Sequence, residues 1–330
     1  MGKPVAIRMG KQTKIFDPLD AATGSGGAEL LDPSVVKRGD QWWMVLAGQA
    51  HGFGPPQLFS ASLSAGAPVS ASGWALARTA AGEAAPLLPE SRPGAWDGDG
   101  GRHCPSNVKG WDPHTARWVE RIYYAGAREH IGGPYTIGYA EWDGAQWVEV
   151  DNPVFRAIED WEHGSVYEPN LIYHDGKWKM WYVAGANRDD YLVHGYAESA
   201  DGREWGRHIV FAPAEMKMFD FCVRPREQEF VAAYSRVWVA KSHPAAETGL
   251  WLCRCDSPSG VLAEWSEPVQ IMTAEDRGWH AGPFKPSLAF DEEDPQHAFI
   301  FFGGMYRTSD PGPFPFVFTT GCLEMDVPRW

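Results

Sequence analysis

Two runs of the chain share one pattern. In "VYEPNLIYHDGKWKMWYVAG" (166–185) and "LLDPSVVKRGDQWWMVLAG" (30–48) an acid precedes a proline, then come a small polar residue, two apolar residues, a turn, and an aromatic-rich strand ending in small residues. The first tryptophan of the second run follows the acid by the same step in both, Asp32 to Trp42 and Glu168 to Trp178. Each copy reads as a strand pair joined by a tight turn. In "KWKMWYVAG" Trp178, Met180 and Tyr182 fall on one face, with Trp181 and Val183 on the other. Apolar residues on both faces predict a strand covered on both sides.

With that template, weaker copies start at Cys104 ("CPSNVKGWDPHTARWVERIYYAGA"), Asp220 ("DFCVRPREQEFVAAYS") and Lys285 ("KPSLAFDEEDPQHAFIFFGG"). The starts at 32, 104, 168, 220 and 285 are 72, 64, 52 and 65 residues apart, room for four strands each. Second hairpins appear in "YTIGYAEWDGAQWVEV", "HGYAESADGREWGRHIV" and "GLWLCRCDSPSGVLAEWSEPVQI", the first two with Asp143-Gly144 and Asp201-Gly202 at their tips. A four-stranded unit at this period predicts a β-propeller blade, so the chain is expected to be an all-β, five-bladed propeller forming a single domain over residues 1–330. The fourth copy lacks the proline, and a rival alignment would start it at Arg224-Pro225. The Pro- and Gly-rich stretch 80–101 reads as a long loop over one mouth of the ring.

Composition supports the all-β reading: 17 Trp, 16 Phe and 11 Tyr accompany 36 Gly and 26 Pro in 330 residues. The net charge of −14, with no basic run, argues against nucleic acid or an anionic lipid surface as a partner. The N-terminal stretch lacks the apolar run of a secretory signal and no window reaches the length of a membrane span, so a soluble, cytoplasmic protein is expected. Cys104, Cys222, Cys253, Cys255 and Cys322 show no disulfide rhythm, and Cys253 and Cys255 read as small buried residues on one face of a strand rather than metal ligands.

Inner strands of a propeller start beside its axis, so Asp32, Cys104, Glu168, Asp220 and Lys285 are expected to converge on a central funnel. Carboxylates meeting there repel, and partial burial raises the cost of ionising all of them. One pKa should rise while another stays low, the division of labour that acid/base catalysis needs. Hydrolysis of a glycosidic bond is the reaction that most often uses such a pair.

The segments "LLDPSVV", "CPSNV" and "YEPNLIYHDGKWKMWYVAG" resemble the blade motifs of the five-bladed β-propeller glycoside hydrolases, the superfamily of families 32, 43 and 68 and, more distantly, family 130. The resemblance spans the chain in blade count and is specific around Asp32 and Glu168. It implies that Asp32 is the base or nucleophile and Glu168 the general acid. It also implies a second-blade aspartate, whose place is taken here by Cys104, a neutral thiol that cannot stabilise an oxocarbenium-like sugar as a carboxylate does. Asp99, five residues earlier, could reach that place from the loop.

Other residues are candidates for holding substrate. His163 and His280 precede Glu168 and Lys285 by five residues each, and with His103 they would make three central histidines. No HxH or HxxxH spacing supports chelation, so they are read as ligands for substrate hydroxyls, with no metal and no cofactor expected. Lys285, with Arg224 or Arg226, would lower a neighbouring carboxylate's pKa or hold an anionic substrate such as a uronate or phosphate; an ion pair with Asp220 is the alternative. Trp96, Trp111, Trp161 and Trp279 could stack on sugar rings. The expected activity is that of a glycosidase acting on a carbohydrate or carbohydrate-like small molecule, with Asp32, Glu168 and Asp220 catalytic. The competing readings are a biosynthetic lyase, cyclase or isomerase using the same pocket, and a non-catalytic sugar-binding propeller.

Overall fold

A proline or a bulge inside a strand removes a rung from the hydrogen-bonded ladder, and this chain does so at one place in every inner strand. In the computed structural model, which describes residues 11–50, 54–92, 94–185, 192–236, 249–273, 283–291, 293–307 and 316–327, twenty strands form five four-stranded antiparallel sheets. After the N-terminal β1 (Gln12–Phe16), blade one holds β2 (Glu29–Arg38), β3 (Gln41–Gln49), β4 (Gln57–Leu63) and β5 (Ala75–Leu76). Blade two holds β6 (Gly101–Asp112), β7 (Arg117–Ala127), β8 (Tyr135–Trp142) and β9 (Trp147–Glu149). Blade three holds β10 (Val166–His174), β11 (Lys177–Ala184), β12 (Val193–Ser199) and β13 (Ile209–Ala212), and blade four β14 (Phe219–Arg226), β15 (Glu229–Arg236), β16 (Gly249–Cys255) and β17 (Val269–Thr273). Blade five combines β18 (Phe284–Phe290), β19 (His297–Arg307) and β20 (Phe316–Asp326) with β1, which pairs antiparallel with β20 and closes the ring. The inner strands β2, β6, β10, β14 and β18 contact one another in ring order.

The apolar core is a set of layers between blades rather than one central mass. Leu30, Met44 and Phe59 of blade one pack with Phe16, Phe299 and Phe301 of blade five, and Trp178, Met180 and Tyr182 pack against Val119, Tyr123 and Tyr139 of blade two. Trp181, on the other face of β11, packs on Phe221 and Tyr234 of blade four. The two-faced pattern of β11 thus has the expected cause. Cys253 and Cys255 lie together in that same layer, and all five cysteines are free and buried. Part of the stretch 80–101 is wedged between blades rather than over a mouth: Leu88 and Trp96 are buried between blades one and two, and Pro86 bridges to Phe59 on β4.

The register of each inner strand slips between Leu31 and Ser34, His103 and Ser106, Tyr167 and Asn170, Phe219 and Phe221, and Phe284 and Ser287. The slipped residue has positive φ in every blade: Asp32 52°, Cys104 55°, Glu168 52°, Asp220 57° and Lys285 48°. Left-handed backbone is uncommon for residues other than glycine, and a bulge of this kind re-aims the side chain at the slip. Four of the five are followed by proline, whose missing N–H costs nothing where the ladder is already broken. Asp220, without a proline, occupies the same place, which settles the fourth copy in favour of Asp220 over Arg224.

In four of the five blades a side-chain acceptor two residues beyond the slip clasps the next blade. Ser34 Oγ accepts from Asn107 N (2.9 Å), Ser106 Oγ from Leu171 N (3.1 Å), Cys222 Sγ from Leu288 N (3.4 Å) and Ser287 Oγ from Val35 N (2.9 Å). Asn170 stands at the corresponding position of blade three. Replacing Ser287 by alanine strands the buried Val35 N–H, so Ser287→Ala is expected to lower unfolding stability by about 1–3 kcal/mol. Urea unfolding would check it, and an unchanged midpoint and slope would remove the clasp from the forces that close the ring.

Candidate functional site

The left-handed anchors bring five side chains from sequence-distant segments into one buried cluster. Asp32 Oδ2 accepts from the backbone N–H of Cys104 at 3.3 Å, and the Cys104 thiol donates to Glu168 Oε1 at 2.8 Å. Lys285 Nζ pairs with Glu168 Oε2 at 2.8 Å. Asp220 Oδ2 accepts from Lys285 N at 2.6 Å and from Ser235 Oγ at 2.7 Å. All five residues are at most 5% exposed. One ligand atom each of Asp32, Cys104 and Glu168 lie within 4.8 Å of one another.

One cation must serve three carboxyl groups, and burial decides how their protons divide. At Asp32 burial comes first, followed by repulsion from Glu168, and together they push the carboxyl up to about 7. Burial acts against ionised Glu168 too, but the Lys285 ammonium and hydrogen bonds from Asp220 and Cys104 outweigh it, leaving that carboxyl below its ordinary value. Asp220 is held well above the usual range, first by burial and then by Glu168. Burial and the two nearby carboxylates push the Cys104 thiol up as well, which keeps it a neutral donor. Burial opposes the Lys285 charge, yet Glu168 and Asp220 hold it firmly protonated.

Asp32 also faces a cavity of about 690 Å³ between blades one and two, whose lining includes His103, Asp99, Glu29, Glu129 and Phe318. Its second oxygen, Oδ1, is buried and has no hydrogen-bond partner among the described residues. His103 is half-buried, its Nε2 2.9 Å from Gly100 O and its ring edge-on to Tyr135, and burial keeps the imidazole neutral. Asp99 is exposed at the cavity rim and does not stand in for a second-blade carboxylate beside Glu168.

Other candidates lie elsewhere. His163 is exposed at the end of the 3₁₀ turn Asp160–Glu162 and is not among the residues lining this cavity. His280 and Trp279 lie outside the described residues. Trp96 is buried, its Nε1 bonded to Val150 O; Trp161 stacks on Tyr182; and Trp111 sits at the opposite end of β6 from Cys104. Arg226 pairs with Glu229 at the far end of β14, so it does not join Lys285 at the centre. Lys285 is committed to Glu168 by its ammonium and touches Asp220 through its backbone N–H.

Sequence reasoning missed Glu29, Glu129, His130 and Phe318 in the cavity wall and Ser235 behind Asp220. One signal was available: in an antiparallel blade the inner strand starts at the same rim where the second strand ends, so the segment "REHIGGP" between β7 and β8 had to border the funnel. His194, fully buried with both ring nitrogens unpartnered among the described residues and its pKa pushed by burial down to about 3, carries no such signal.

No protein-family model and no curated protein matches the chain. Solved structures do. The catalytic domain of the Coprinopsis cinerea family 62 α-L-arabinofuranosidase superposes with a TM-score of 0.64 at 13% identity, covering 98% of both chains. A thermostable family 43 glycoside hydrolase gives 0.61 at 16% identity over 91% of this chain and 94% of that one. Zg3597, a family 117 glycoside hydrolase of Zobellia galactanivorans, gives 0.64 at 12% identity over 97% and 91%. The chain shares the fold of these five-bladed glycoside hydrolases.

Removing the Lys285 cation would leave Glu168 ionised and unpaired. Lys285→Met is expected to cost about 3–5 kcal/mol in chemical unfolding, and a loss under about 1 kcal/mol would contradict the charge arrangement. A carboxyl raised in the folded state stabilises below its unfolded pKa of 3.8 and loses that contribution as pH climbs through about 7. Asp32→Asn removes this liability, so its stability relative to the parent should rise by on the order of 1–3 kcal/mol between pH 4 and pH 8. A relative stability that stays flat or falls over that window, followed by thermal unfolding, would show that Asp32 is not raised.

Proposed function

We propose that the protein is a glycoside hydrolase acting on a carbohydrate or carbohydrate-like small molecule, with Asp32 and Glu168 as its carboxyl pair. The observation that carries the reading is Asp32 in the lining of a cavity, its carboxyl pushed up to about 7 by burial and Glu168, with the lowered Glu168 carboxyl in the same cluster. That is the pairing of a proton donor with a carboxylate that glycoside hydrolysis requires. The fold shared with solved arabinofuranosidases and with family 43 and family 117 hydrolases supports the same reaction class.

The proton distribution supports roles opposite to those implied by the resemblance. Asp32 gives its proton to the leaving oxygen, and Glu168, already ionised, attacks the anomeric carbon. Asp32 then takes a proton from the water that releases the sugar. An oxygen of each carboxyl lies within 4.8 Å of the other. That is nearer the about 5–5.5 Å of retaining enzymes than the about 6.5–9.5 Å that leaves room for an attacking water. Cys104, as a neutral thiol, positions Glu168 and is no nucleophile. The unpaired thiols fit a reducing compartment, which we propose as its setting.

Leaving-group chemistry separates the roles. On aryl glycosides with poor leaving groups Asp32→Asn should lose about 10²–10⁴-fold in kcat, and far less on dinitrophenyl glycosides that need no proton. Glu168→Gln should abolish turnover of both, and the parent's rate should fall as pH rises through about 7. The reverse pattern would restore the roles the resemblance implies, and full activity in both variants would end the hydrolase reading.

A further inference from the structure

Two tryptophans lie in water at the rim of blade two that faces away from the Asp32 cavity. Trp111, near the end of β6, and Trp118, near the start of β7, stand opposite one another as a cross-strand pair. They are 37% and 64% exposed, although tryptophan is on average a highly buried residue. Seven positions of strand separate Trp111 from Cys104, about 20–25 Å, so this surface is no extension of the cavity.

The rings form an open platform. The Trp118 centroid is 5.3 Å from Tyr173 of blade three and 6.4 Å from Trp111, with the planes 78° and 76° apart, so neither neighbour lies flat on it. Tyr173 meets the buried Trp178 edge-on, and Trp178 donates its Nε1–H to Trp111 O at 3.0 Å, which ties the platform to the packed layer between blades two and three. The indole N–H groups of Trp111 and Trp118 and the Tyr173 hydroxyl have no protein partner among the described residues, and none of them is a buried orphan.

Size and charge limit what can cover these rings. The exposed parts of the two indoles together amount to about one whole tryptophan, on the order of 250 Å², against the roughly 800 Å² per partner of a standard protein interface. None of the other large apolar side chains exposed among the described residues lies on β6, β7, β10 or β11 to enlarge the patch. The charges nearby are already paired: Arg117 with Glu141, His114 with Asp201, Asp112 with Arg121 and Arg203, His174 with Asp175, and Lys177 with Glu198. Lys109, exposed two positions before Trp111, is the one cation of these hairpins without such a pair among the described residues. A single ammonium does not hold a polyanion against a net charge of −14. Flat apolar rings with free donors at their edges and little net charge fit the C–H faces and hydroxyl acceptors of a neutral sugar chain.

We propose that Trp111, Trp118 and Tyr173 form a surface site for a neutral β-1,4-linked glycan, whose extended ribbon lays its C–H faces on the rings while its hydroxyls accept from the indole N–H groups. The site does not rest on the hydrolase reading, since a chain held here lies away from Asp32 and Glu168.

Calorimetry on the full chain with cellohexaose, xylohexaose and mannohexaose, beside glucose and hexagalacturonic acid, tests the site. At least one neutral hexasaccharide should bind about tenfold or more tighter than glucose, with little change as salt is raised. Trp118→Ala should weaken that binding about tenfold, and Trp118→Tyr, which keeps a ring, should recover most of it, with circular dichroism reporting an intact fold in both. Sedimentation should give the same mass for parent and Trp118→Ala. Absence of binding by all three neutral hexasaccharides, preference for the hexagalacturonate, affinity unmoved by Trp118→Ala, or a dimer that Trp118→Ala dissolves would each overturn the proposal, the last by giving the surface to a second copy of the chain. Parallel assays on 4-nitrophenyl glycosides keep the two readings apart. Trp118-dependent binding without turnover of any glycoside defeats the hydrolase reading alone, whereas turnover with hexasaccharide binding indifferent to Trp118 defeats this proposal alone.

Discussion

The structure depends on one backbone constraint repeated five times: a non-glycine residue held in left-handed conformation at a bulge in each inner strand. Such a residue is strained in isolation, and the surroundings must over-determine it. They do so through the next blade. The serine or cysteine two positions on receives a backbone N–H from the neighbouring inner strand, and at two anchors the carboxylate itself does likewise, Asp32 from Cys104 N and Asp220 from Lys285 N. The bulge that turns a side chain toward the axis is thus also the joint between blades, and the ring cannot close without delivering five side chains to its centre.

What those side chains are then follows from charge. Lys285 lies against Glu168 and holds its carboxyl below the ordinary value, whereas burial and Glu168 hold Asp220 well above it, with Lys285 the one cation of the cluster among the described residues. A third ionised carboxylate at position 104 would raise the self-repulsion of this group further, with the same single ammonium to offset it. Cys104 avoids that cost and still provides a hydrogen bond to Glu168. The thiol in place of the aspartate and the lysine in blade five are therefore two parts of one electrostatic solution.

The blade count, all five anchors and the two-faced strand β11 could be read in the sequence because each leaves a local trace: the proline at a broken rung, the small polar clasp residue, apolar residues on both faces. Which of Asp32 and Glu168 has the raised carboxyl could not, since a pKa depends on which neighbour lies within a few ångströms, and Lys285 is 117 positions from Glu168. Trp96 looked like a sugar platform because it falls in a loop near a strand start, but Gly126 and Gly138 leave room for its ring between blades, where it is buried. Glu129 and His130 escaped notice because rim loops follow no repeat; only topology brings them to the cavity.

Asp32 and Asp220 separate the structural role of an anchor carboxylate from its chemical one. Both are raised by burial and by Glu168, and both accept the backbone N–H of the next anchor. Asp220 is fully enclosed and receives a second bond from Ser235, so its carboxyl has structural partners of its own. Asp32 has a single clasp bond, an unpartnered oxygen and an open cavity before it. Each of the two carboxyls keeps one buried oxygen, Oδ1, without a hydrogen-bond partner among the described residues, so bonding alone does not separate them; the cavity beside Asp32 does. The proposed chemistry is therefore placed in blade one, where the anchor carboxyl borders a cavity, and the bracing in blade four, where Ser235 and the next anchor's N–H share one carboxyl oxygen.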